Sequence, residues 1–183
     1  MCRVSPDIFL YPLPPDAQVT PPLLQPDALR ETLIALGVEL VDVRVGGSAT
    51  RPVVKIRIDV PGGGRPGHGI SSSDCLRVSR ALEAALEAGG VVGPQWELEV
   101  SSPGIERPIR FVEHWQRYVG REIRLKATGI RGVRTARIVA VPDGAHVTLD
   151  MGGEIVTLAL EAIKDATLVF DWSRQGNREA GEP

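Results

Sequence analysis

Cysteine is nearly absent from this chain of 183 residues, and histidine and aromatic residues are scarce. Cys2 and Cys75 cannot build a framework of bridges. With the scattered His68, His114 and His146 they give no metal-ligand spacing, so no disulfide, no structural metal and no cofactor are expected. Cys75, at an apolar position of an expected helix, reads as a small buried hydrophobe. No apolar run approaches the ~20 residues of a membrane span, and residues 1–25 lack a basic start followed by an apolar core. No membrane contact is therefore expected, and the expected address is cytoplasmic. A strong net charge is missing as well. Lys and Arg number 21 against 23 Asp and Glu, a balance of −2, which argues against affinity resting on the neutralisation of many phosphates.

What is present changes character near Pro103, and the length suits two small domains. Residues 1–25 hold six prolines and no sustained period, the composition of an extended, disordered leader. Residues 26–107 read as an N-terminal α/β domain. Pro26 and Asp27 suit the first turn of a helix, Leu29, Leu33 and Leu36 mark one apolar face, and Gly37 suits its left-handed stop. Residues 38–45 switch to a period of two, with Val41, Val43 and Val45 on one side and Asp42 and Arg44 on the other. Residues 53–60 repeat the alternation, placing Val54, Ile56, Ile58 and Val60 inward and Lys55, Arg57 and Asp59 outward. The Gly-rich residues 61–69 form a long loop without the Gly-Lys-Ser/Thr ending or the spacing of a nucleotide-binding motif. A second helix opens with Ser71 as N-cap, Asp74 as a shortened capping-box acid, and Ile70 and Cys75 at the staple positions. Val78, Leu82 and Leu86 line its apolar face until Gly89-Gly90 stops it. A third strand, residues 95–101, completes an αββαβ two-layer sandwich, an α+β fold.

Residues 108–120 read as a connector with a short helix, in which Phe111, Trp115 and Tyr118 recur at helical spacing. Packing residues are the expected reading of these aromatics, ahead of a platform for stacking bases. Residues 121–172 hold five short strands separated by turn residues, the pattern of a small all-β barrel of the SH3 or Sm type, and residues 173–183 form a loose tail. Charge in this half is segregated along the chain. Arg117, Arg121, Arg124, Lys126, Arg131, Arg134 and Arg137 stand among residues 115–140 with Glu122 as the one acid, whereas residues 141–171 carry six acids and one base. The domain is either electrically two-sided or interleaves these charges. The seven cations are candidate contacts for a ribosomal or RNA partner.

No catalytic constellation assembles. Glu97 and Glu99 lie on the solvent side of a strand, and Ser101 and Ser102 lack both the Gly-x-Ser-x-Gly elbow and a neighbouring histidine, so no enzyme is expected. RNP aromatics, a zinc knuckle and a Gly-x-x-Gly between helices are missing too, which leaves sequence-specific RNA readout without support.

The most informative stretch joins the two halves. Glu99-Val100-Ser101-Ser102-Pro103-Gly104-Ile105-Glu106-Arg107-Pro108, followed by Arg110-Phe111, His114-Trp115, Arg117-Tyr118 and Val119-Gly120-Arg121, resembles the hallmark of the bacterial ribosome maturation factor RimP family. The resemblance extends over residues 26–172. It implies a non-catalytic assembly factor that binds the free small (30S) ribosomal subunit, contacts the ribosomal protein near the decoding centre and possible 16S rRNA sites, and works as a monomer. A general RNA-binding module using the basic face of the C-terminal barrel is the alternative. In the joining stretch, Pro103-Gly104 suits the centre of a type II turn, Ser101 and Ser102 suit local backbone bonding, and Pro108 restricts Arg107 to extended backbone. Ser101, Ser102, Pro103, Gly104, Glu106, Arg107 and Pro108 are thus expected to fix the relation between the domains.

Overall fold

Local sequence chemistry sets the first element. In the computed structural model, which describes residues 24–48, 51–63, 68–88 and 95–170, α1 spans Pro26–Ala35 with proline in its first turn. It ends in a full Schellman motif: Gly37, at φ +74°, donates its N–H to Ile34 O and Val38 donates to Leu33 O. Leu29, Leu33 and Val38 are buried beneath it, and Leu24, just before the helix, is buried as well. The rest of the proline-rich leader (1–23), residues 64–67 of the Gly-rich loop, the Gly89-Gly90 stop and the C-terminal tail lie outside the described residues.

Strands β1 (Glu39–Gly47) and β2 (Pro52–Asp59) pair antiparallel, and β3 (Glu97–Ser101) joins β2 in parallel, in the order β1-β2-β3. The crossover to β3 is α2 (Ser72–Ala88). Its capping box is formed as expected, with Asp74 N–H on Ser71 Oγ and Ser71 N–H on Asp74 Oδ2, each at 3.2 Å. Val78, Leu82 and Leu86 are buried, and Arg77 reaches the end of α1 through a 2.8 Å bond to Leu36 O. Cys75 is half-buried, short of the buried position expected for it; burial and the neighbouring Asp74 carboxylate push its thiol pKa up. The element order is the expected αββαβ.

Two sequence expectations within this unit need correction. A bulge between Leu40 and Asp42 takes Val41 out of register, so that Leu40, Val43 and Val45 stand opposite Ile58, Ile56 and Val54. Leu40 therefore replaces Val41 on that apolar face. Asp42 and Asp59, expected outward, are only 5% and 1% exposed. Each carboxylate is bonded, Asp42 by Arg44 Nε at 3.0 Å and Asp59 by the Val60 N–H at 2.9 Å, which offsets the cost of taking it out of water.

The second unit is all-β apart from short helical turns. Helix α3 (Val112–Arg117) precedes β4 (Glu122–Ala127), β5 (Arg134–Ala140), β6 (His146–Asp150), β7 (Ile155–Ala159) and β8 (Ile163–Leu168). The strands lie in the order β7-β6-β5-β4-β8, every neighbouring pair antiparallel. Strict alternation on β4 places Ile123, Leu125 and Ala127 inward, and Ala136, Ile138, Val147, Leu149, Ala166 and Leu168 complete the core. A 3-10 turn, Leu160–Ala162, turns the chain into β8. Among the described residues no ladder joins β7 to β8. The outer edge of β8 instead takes Arg107–Ile109: Leu168 donates to Arg107 O, Ile109 donates to Ala166 O, and Pro108 bridges Thr167. Two compact units result, Met1–Pro103 and Gly104–Pro183.

Candidate functional site

The joining stretch divides between the units. Ser101 ends β3 opposite Arg57, Ser102 is exposed, and Pro103 is buried as the last residue of the first unit. Gly104 opens the second unit at φ +74°, the value that the third position of a type II turn requires and that glycine adopts without strain. From Glu106 onward the stretch is built into the second unit. Glu106 receives the Arg124 guanidinium, and Arg107 and Pro108 supply the backbone pairing to β8 described above.

The chain then folds over the sheet. Ile109, Arg110, Phe111, His114 and Trp115 are all buried, so the aromatics at helical spacing are packing residues and Phe111 and Trp115 offer no open ring faces. Arg110 directs its guanidinium to Asp165 Oδ1 at 2.9 Å and its backbone N–H to His114 Nδ1 at 3.3 Å, while Phe111 and His114 meet edge to face. Nδ1 of His114 thus acts as an acceptor for the Arg110 N–H. The composition of the chain gives no hint that Arg110 and His114 are interior residues. The one sequence signal is the four-residue spacing that sets His114 back against the residue before the helix.

The strands also sort the seven candidate cations. Arg124 is bound to Glu106, and Arg137 lies on Glu122 Oε1 and Gly120 O, both at 3.0 Å, with Asp150 opposite it on β6. Lys126 faces Asp165 across β4 and β8. Folding therefore interleaves much of the basic run with acids from either side of it in the chain. Exposed pairs of this kind contribute about 0–1 kcal/mol each, so their main effect is on surface potential. Arg117 sits at the end of α3 and Arg121 just before β4, both exposed. Arg131 lies in the β4–β5 loop and Arg134 at the start of β5, again exposed.

The residues weighed for catalysis are dispersed. Glu97 and Glu99 are exposed on β3, where Glu99 takes Lys55 Nζ at 2.7 Å. His146 and Asp143 form a tight turn, with ring nitrogen and carboxylate 2.7 Å apart; this bond and the N–H of Ala145 hold the Asp143 carboxyl below its ordinary range. Among the described residues no group of three His, Cys, Asp or Glu side chains gathers as a metal site. No helix of the described residues is long and apolar enough to cross a membrane.

Residues 28–106, from the first turn of α1 through β3 to Glu106, match the family model described as the RimP N-terminal domain.

Proposed function

The chain belongs to the RimP family of ribosome maturation factors, and from that premise we propose that it is a non-catalytic assembly factor for the small ribosomal subunit. In this reading it binds the free 30S subunit as a monomer in the cytoplasm and assists a late step of its maturation. The family match over residues 28–106 is the observation that carries it. The partner surface is formed by the ribosomal protein near the decoding centre and by 16S rRNA. Mild overall acidity beside Arg131 and Arg134, whose side chains make no ion pair among the described residues, suits a partner made of basic protein and phosphate together. The second unit takes the role of a small barrel of the SH3 or Sm type. The return of β8 to the side of β4 after a 3-10 turn supports that assignment.

Deletion of the gene tests the reading. Small subunits carrying immature rRNA should accumulate while large subunits mature normally, and reintroduction of the intact chain should restore the balance. Normal small-subunit maturation without the protein would overturn it.

A further inference from the structure

The cations of the second unit fall into two classes. Arg124 and Arg137 each hold a carboxylate, whereas the side chains of Lys126, Arg131, Arg134 and Lys164 make no hydrogen bond or ion pair among the described residues. These four lie toward one end of the sheet, Lys126 on the outer face of β4 and Arg134 on the face of its partner Leu125. Arg137 is opposite Asp150 on β6, whereas Arg134 pairs only with Leu125 on β4. At ~3.3 Å per residue, the three steps from Arg137 to Arg134 carry Arg134 roughly 10 Å past the last β6 partner, so the β4–β5 ribbon projects past β6 while β4 stays paired with β8 along its length.

The tip of the ribbon is open. Gly129 and Gly132 lie at φ +81° and +75°, and a side chain added at either would meet nothing within 4 Å. Arg131 sits between them, and Val133 beside them is 65% exposed. Lys164 reaches the base of the ribbon because the ladder between β4 and β8 shifts register there, and Thr128 N–H bonds Ala162 O at 2.7 Å. Of the acids toward this end, Asp165 is held by Arg110 and Asp150 accepts the Gly153 N–H, which leaves Glu154 of the β6–β7 turn and Glu161 of the 3-10 turn against four cations.

We propose that the overhanging β4–β5 hairpin is a phosphate-binding element, in which Lys126, Arg131, Arg134 and Lys164 contact the sugar-phosphate backbone of a folded RNA. Arg124 and Arg137 serve the fold instead. The inference rests on the ribosomal reading above and names the chemistry of one of its contacts. Guanidinium groups fit phosphate oxygens two at a time, and an exposed ribbon with open glycine backbone can approach a phosphate row closely. With a single large apolar side chain exposed at the tip, the ribbon lacks the buried aromatic or aliphatic anchors of a protein interface, which favours RNA over an acidic protein.

The test uses the full-length chain and a fluorescent synthetic RNA hairpin, with binding followed by anisotropy over a series of KCl concentrations. Arg131→Gln/Arg134→Gln should weaken binding at least tenfold and flatten the slope of log Kd against log salt by about two phosphate contacts. Lys126→Gln/Lys164→Gln, which alters neither arginine, should act in the same direction, and Arg137→Gln should leave the slope unchanged. Circular dichroism checks that each variant is folded. Equal slopes in wild type and both double variants, an equal loss in Arg137→Gln, or no RNA binding by the wild type would overturn the proposal. A hairpin variant that leaves the 30S subunit yet keeps its RNA affinity would also overturn it, pointing to an acidic protein. Co-sedimentation of the wild type with 30S subunits in any of these cases keeps the proposed function standing without the hairpin.

Discussion

Single residues show where backbone conformation leaves no choice. A Cβ added to Gly47, at φ +84°, would stand 2.3 Å from Arg51 O and 3.0 Å from Val53 N, both backbone atoms. Gly47→Ala should therefore cost the first unit about 1–3 kcal/mol in denaturant unfolding, since strain and collision act together. Gly104 shares the positive φ but has open space around it, so Gly104→Ala should cost less, on the order of 1 kcal/mol. Sequence alone marked Gly104 through its Pro-Gly pair and passed over Gly47, because a close approach across a turn leaves no trace in composition. Asp42 and Asp59 were hidden for a related reason: alternation assigns a face to each residue but cannot tell how that face is covered.

At the scale of elements, helices were the most legible. The Schellman end of α1 and the capping box of α2 follow from Gly37, Ser71 and Asp74 with no tertiary information. Bonds from Ser71, then Arg77, hold the Asp74 carboxyl below its ordinary value of 3.8. A lowered folded pKa means that this cap stabilises the helix above pH 3.8 and loses its contribution as pH falls through the folded value. Ser71→Ala should thus lower stability at neutral pH, and the difference from wild type should shrink in acid, as chemical denaturation at both conditions would record. Along the apolar face of the same helix, Leu82→Ala should cost ~2–5 kcal/mol, the usual range for emptying a closed core position. Strand registers were less legible. The bulge at Val41 and the 3-10 turn before β8 depend on partners distant in the chain, and so does the pairing of Arg124 with Glu106. That last pairing, with Arg137 on Glu122, decided which basic residues remain candidates for contact, a distinction the charge run could not supply.

For the molecule as a whole, the stretch around Pro103 carries the family resemblance read from the sequence, and its second half also belongs to the structure of the second unit. A fragment covering Gly104–Pro183 should fold by itself and give dispersed amide resonances. A fragment starting at Arg121 should not, because it lacks buried Ile109, Phe111 and Trp115 and the backbone that covers the edge of β8. Retention of structure in the shorter fragment would contradict that account of the stretch. The ribosomal assignment is tested most directly by sedimenting the tagged chain through a sucrose gradient of dissociated ribosomes. The account predicts the protein in the free 30S fraction and not with 50S subunits or 70S ribosomes; recovery solely at the top of the gradient, or an equal spread over all ribosomal fractions, would contradict it.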